Sequence, residues 1–169
     1  MQWLGLAALL LLCGCGFEPL YATGPGSAQV PAALRSVSVA PLSDRSGQFL
    51  QLALERRLNN NGVPADYILD IDMRQTTQFF GIRGDAAPTR QRVRMVADYR
   101  LVNAITDKEL FSGNALADST IDIVDSEYAT FVAEEAAVER NAQVVADRIL
   151  SRLALYFRAV AEAEAQQRS

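Results

Sequence analysis

The hydrophobic period of this chain changes near residue 126, and that change limits what it can fold into. Before it, three runs alternate residue by residue, the period of a half-buried strand. In Asp66–Ile82, Tyr67, Leu69, Ile71 and Met73 face one way and Ile68, Asp70, Asp72 and Arg74 the other, with Thr76, Thr77, Phe79 and Phe80 extending the run. In Arg90–Asn103, Val93, Met95, Ala97, Tyr99 and Leu101 oppose Arg92, Arg94, Asp98 and Arg100. Glu109–Val124 is a third strand-like run, broken by Gly113. The connectors GIRGDAAPT and Ile105–Lys108 are short and carry turn residues. Three such runs predict an antiparallel meander with one polar and one apolar face. After the change, Val138, Ala142, Val145, Ile149, Leu153, Tyr156 and Val160 recur every three or four residues. This predicts one long helix, capped by Asp125 or Ser126, whose apolar stripe belongs to the core. Its AEAEAQQRS end is expected to fray.

Upstream, Leu34–Leu42 alternates and ends at Pro41, a short strand. Ser46–Asn60 carries Phe49, Leu50, Ala53, Leu54 and Leu58 at helical spacing. Ser43, Asp44 or Ser46 caps its start and Asn61-Gly62 ends it. The order is β-α-β-β-β-α. The expected fold is α+β: a four-stranded, mostly antiparallel sheet with two helices packed on one face, since that arrangement buries both stripes. One domain is expected over 34–165, with 166–169 as a frayed tail.

The N-terminus is of another kind. Leu4–Leu12 is a nine-residue uncharged run. It covers less than half of a roughly 30 Å hydrocarbon core, but it has the length of a signal-peptide apolar region. No Lys or Arg precedes it, so either the amino group of Met1 serves or the true start lies upstream. Leu12-Cys13-Gly14-Cys15 resembles the bacterial lipobox, with Leu three before the modified cysteine and a small residue just before it. Cys15 fits that register. Cys13 would need a small residue at 12 and finds Leu. Residues 1–14 are therefore read as a lipoprotein signal peptide, Cys15 as the acylated residue, and 15–33 as a tether rich in Gly, Pro, Ser and Thr. Gly16, where Asp would mark inner-membrane retention, favours the outer membrane by the same resemblance. With Cys13 removed and Cys15 capped, the mature chain has no thiol to pair. About 155 residues must then hold together by their core alone, which is ample for one domain.

Composition excludes much chemistry. The chain has no His, and its two Cys both lie in the N-terminal segment, so His acid/base catalysis, Cys nucleophiles and most zinc or iron sites have no residues to use. Lys108 is the single lysine and lies in the Thr106-Asp107-Lys108 turn. No phosphate-cradling or dinucleotide-binding glycine motif occurs. Asp and Glu number 20 against 16 Lys and Arg, without the basic excess of a nucleic-acid binder. No constellation of carboxylates stands out as a hydrolase pair. The expectation is a non-enzymatic protein without metal or cofactor.

Cys15-Gly16-Phe17-Glu18-Pro19-Leu20-Tyr21 resembles the CGFxPLY start of the alphaproteobacterial LptE-family lipopolysaccharide-assembly lipoproteins. The β-α-β-β-β-α order and the Tyr128-Ala129-Thr130 start of the long helix are similar to that family too. The resemblance implies an outer-membrane lipoprotein, anchored by its N-terminal lipid, that sits in the lumen of an LptD-like β-barrel. It would plug the barrel, assist its assembly and contact lipopolysaccharide during insertion into the outer leaflet. An alternative is a lipoprotein that pilots or scaffolds another envelope machine, such as a secretin.

The family motif carries over only Cys15. From the residues themselves, Arg83, Arg90, Arg92 and Arg94 cluster at one hairpin and its strand. Guanidinium groups suit the phosphates of lipid A. The plainer reading is a solvated sheet face, with Asp70, Asp72 and Arg74 on the neighbouring strand as cross-strand partners. Arg83-Gly84-Asp85 is read as turn chemistry and not as an adhesion tripeptide.

Overall fold

The computed structural model describes residues 29–167, except 61, 63 and 83–87. The elements are α1 (Gln29–Arg35), β1 (Val37–Val39), α2 (Arg45–Leu58), β2 (Tyr67–Ile82), β3 (Pro88–Asn103), β4 (Glu109–Asp122) and α3 (Glu127–Gln167). The strands form one sheet in the order β1-β2-β3-β4. β1 runs parallel to β2, with α2 as the crossover, while β2, β3 and β4 form the antiparallel meander. The α+β fold read from the alternating runs is the fold observed.

α2 begins where Asp44 accepts a hydrogen bond from the Gly47 amide, an N-cap that satisfies an otherwise orphaned donor. It ends two residues earlier than expected. Asn59, at φ 49°, takes the left-handed conformation and donates to the Glu55 carbonyl, so Asn59 and not Asn61-Gly62 is the stop. Its buried positions Leu50, Ala53, Leu54 and Leu58 face α3 and the sheet.

Two local differences have clear causes. The expected strand Leu34–Leu42 shrinks to Val37–Val39, and a helix, α1, precedes it where extended chain is expected. Val30, Ala33 and Leu34 share helical spacing and pack against the core. Pro31 does not prevent this, because it lies in the first turn, where its missing N–H costs no intrahelical bond. At the other terminus α3 continues to Gln167, past the point where fraying is expected. Arg158 and Glu162, one turn apart with Nε to Oε1 at 2.8 Å, support that exposed stretch.

The inner sheet face and the two long helices enclose the core. Leu69, Val93, Met95, Ala97 and Leu101 from the sheet meet Leu50, Leu54, Val145, Ile149 and Leu153 from α2 and α3, all essentially without solvent contact. Truncating one of these leucines to Ala would cost about 2–5 kcal/mol. The placement of α3 is set by a buried polar contact. Asn141 donates from Nδ2 to the Val93 carbonyl at 2.9 Å and accepts from Ser119 Oγ at 2.7 Å, tying the helix to β3 and β4. Nearer its C-terminus, Tyr156 stacks on Phe111 with ring centroids 5.2 Å apart. The opposite sheet face carries no helix among the described residues.

Candidate functional site

The candidate arginines lie on that helix-free face. Side chains of a strand alternate between faces, so Arg90, Arg92 and Arg94 of β3 project together while Gln91, Val93 and Met95 turn to the core. In register, Arg90 lies between Phe80 of β2 and Asp122 of β4, Arg92 between Gln78 and Thr120, and Arg94 between Thr76 and Asp118. Arg83 and Cys15 lie outside the described residues, as does the Arg83-Gly84-Asp85 turn.

The three described arginines are not alike. Arg90 Nε is 2.9 Å from Asp122 Oδ1. Arg94 Nη2 is 3.8 Å from Asp118 Oδ1, a looser pair. Both pairs are solvent-exposed and stabilise the fold by at most about 1 kcal/mol each. Arg92 has no carboxylate partner among the described residues. Its guanidinium lies 5.5 Å from the centre of the Phe80 ring, a cation–π arrangement. Its Nε is buried and makes no hydrogen bond among the described residues. Arg92 is therefore the described arginine of this group that lacks a carboxylate partner, with its Nε still unbonded.

The expected cross-strand partners on β2 are engaged elsewhere. Asp70 accepts from Arg100 through Nε at 2.9 Å and Nη2 at 2.6 Å. Asp70, hydrogen-bonded beside it, holds the Arg100 guanidinium above its usual range. Arg74 pairs with Asp98 and, at 3.8 Å, with Asp72. Ion pairing across strands does occur on this face, but the acids that meet Arg90 and Arg94 come from β4. The sequence alone could not select them, because the alternation of β4 gives its faces and not its register with β3.

The same end of the sheet exposes apolar side chains that the sequence reading did not single out as a group. Phe79 is 63% exposed at the end of β2, and Val124, Tyr128, Phe131 and Val132 are exposed where β4 passes into α3. Phe79 pairs in register with core-facing Gln91, so it lies on the helix side of this sheet end and the arginines on the other face. No group of three or more Asp, Glu, His or Cys able to hold a metal ion occurs among the described residues. No described helix is long and apolar enough to cross a membrane.

The architecture is a four-stranded sheet backed on one face by two long helices, and the comparisons place it among the lipoproteins. The model of the LptE lipopolysaccharide-assembly family matches residues 34–153, and the chain belongs to that family. It is a non-catalytic lipoprotein family of lipopolysaccharide assembly. Among solved structures, a candidate lipoprotein from Caulobacter crescentus CB15 is 28% identical, with TM-score 0.66, covering 77% of this chain and 96% of that one. Rare lipoprotein B from Shewanella oneidensis is 14% identical with TM-score 0.53, covering 79% and 97%. A minor lipoprotein from Acinetobacter baumannii is 12% identical with TM-score 0.54, covering 70% and 88%. The last two likenesses are of fold alone. No curated protein matches the sequence.

Proposed function

We propose that this chain is an outer-membrane lipoprotein, acylated on Cys15, that plugs an LptD-like β-barrel, assists its assembly and takes part in placing lipopolysaccharide in the outer leaflet. The observation that carries this reading is the family match over 34–153, which spans the domain from β1 into α3. The surface is compatible with it. The apolar faces of α2, α3 and the sheet are used in the domain's own core, which leaves an ion-paired face to meet the polar lumen of a barrel. Within that reading, Arg92, flanked by Arg90 and Arg94, is the group that meets lipid A phosphates, and Arg83 is a fourth candidate from the sequence. Three described arginines face two acids, Asp118 and Asp122, so the patch keeps one net positive charge.

Depletion of the protein tests the proposal in the cell. Correctly assembled barrel and surface lipopolysaccharide are expected to fall together. A fall in the secretion of folded substrates through a secretin, with lipopolysaccharide unchanged, would transfer the chain to the pilot class.

A further inference from the structure

β4 is an edge strand among the described residues, because the sheet order ends with it. Its backbone parity can be read from two bonds. Ile123 donates to the Thr89 carbonyl of β3 at 2.8 Å, so odd residues face β3. The Leu116 carbonyl instead accepts from the Arg148 guanidinium of α3, so even residues face away. The N–H and C=O groups of Ser112, Asn114, Leu116, Asp118 and Thr120 thus line an open edge. No proline interrupts it, and the irregularity in the β3–β4 pairing lies beyond it, at Leu101/Val102. Natural edges of this length are usually blunted or used.

Two arginines stand over this edge on the helix side. Arg148 is at Leu116, and Arg152 approaches the Tyr99 hydroxyl, which itself lies over Gly113. Both are exposed, and neither has a carboxylate partner among the described residues. The nearest helix acid, Asp147, is engaged by Arg57 at 2.8 Å. One helical turn separates the two arginines by about 6 Å. Alternate side chains on one face of a strand repeat at about 6.7 Å. The two spacings match.

We propose that the free edge of β4, with Arg148 and Arg152, docks an extended acidic segment of a partner protein as a fifth strand. The strand's backbone pairs with the even residues of β4, and two carboxylates at alternate positions meet the two guanidiniums. Arg148 then leaves the Leu116 carbonyl, which an incoming N–H takes over. This surface is separate from the Arg90–Arg94 patch and does not depend on the reading of it.

The test uses the full chain in detergent with two capped nonapeptides, one alternating Thr and Glu, the other Thr and Lys. The Glu peptide is expected to bind at least tenfold more tightly. It should slow hydrogen exchange at the amides of Ser112, Asn114, Leu116, Asp118 and Thr120, while the odd amides, already paired with β3, change little. Arg148→Glu with Arg152→Glu should reverse the peptide preference. Asn114→Pro removes an outward N–H and no backbone bond to β3, although it also loses the side-chain bond to Asp98; it should weaken binding at least tenfold in a protein that melts cooperatively. Equal binding of both peptides, or protection elsewhere than β4, overturns the proposal. So does concentration-dependent protection of the same amides without peptide, which would give the edge to a second copy.

Discussion

The Tyr99 hydroxyl occupies the space over Gly113, its register partner on β4, so closely that a β-carbon at 113 would lie 2.6 Å from it and 2.9 Å from the ring carbon that bears it. An aromatic ring thus covers the strand position that has no side chain of its own, and β4 runs through Gly113 without a break. In the sequence this glycine reads as an interruption. In the fold it is the space that Tyr99 requires.

Gly113→Ala is expected to destabilise the domain by about 1–3 kcal/mol, the usual cost of overpacking a filled site. Tyr99→Phe in the same chain should recover part of that loss, because it removes the nearest clashing atom. A double-mutant cycle by urea unfolding measures the coupling. Additive effects would show that the two positions do not compete for space.

Burial raises the Tyr99 pKa above the ordinary tyrosine value, and Arg152 beside its hydroxyl offsets only part of that. Burial likewise raises Tyr156. A tyrosine whose folded pKa exceeds its unfolded one contributes stability that is complete below about pH 10 and is lost as pH rises through the folded value. Stability should therefore decline above about pH 10. Tyr99→Phe should make that decline shallower without abolishing it, since Tyr156 still titrates. An identical alkaline slope in the variant would contradict the assignment.

Asn141 is buried and bonded at both ends of its amide, to Val93 and Ser119. Asn141→Ala leaves the Ser119 hydroxyl without its acceptor and the Val93 carbonyl without this donor. The expected cost is about 1–3 kcal/mol, read as a fall in melting temperature. A smaller loss than for Ala142→Gly, measured alongside, would mean that the bridge does not position α3.

Much of this fold could be read from periodicity because one face of every strand is buried. A one-residue slip would have exposed Leu69, Met95 or Leu101, so the alternation states both element and face. The α1 helix is not legible in the sequence, because Pro31 reads as a breaker and the seven-residue stretch is too short to show a period. The length of the short edge strand β1 is hidden for a similar reason, since Leu34 belongs to the core contacts of α1 and not to the sheet. The arginine group was legible as a pattern on β3. Its internal difference, with Arg92 on Phe80 and its neighbours on Asp122 and Asp118, depends on cross-strand register, which no single strand encodes.

That difference makes Arg92 the sharper probe of ligand contact. Arg92→Glu with Arg94→Glu should weaken lipopolysaccharide binding in vitro, while the melting temperature falls only slightly, although Glu at 94 faces Asp118. Arg100→Glu, on the same face but next to Asp70, should leave binding unchanged. Equal binding by all three proteins would return the arginines to the role of a solvated sheet face.

Acylation of Cys15 is proposed from the lipobox-like register of Leu12-Cys13-Gly14-Cys15. Cys15→Ala should abolish incorporation of radioactive fatty acid and leave an uncleaved or soluble form. Acyl burial contributes about 0.8 kcal/mol per CH₂, so losing the chains should release the protein from stable anchoring. Loss of labelling in Cys13→Ala but not in Cys15→Ala would move the site.

The central claim is association with a barrel, and co-purification measures it most directly. Affinity-tagged protein is captured from detergent-solubilised outer membrane, and the retained proteins are identified by mass and by heat-modifiable migration. The expected result is an LptD-like barrel retained in near-equal amount and resistant to high salt. Recovery of abundant, folded protein with no barrel bound, or with a secretin in its place, would contradict the account.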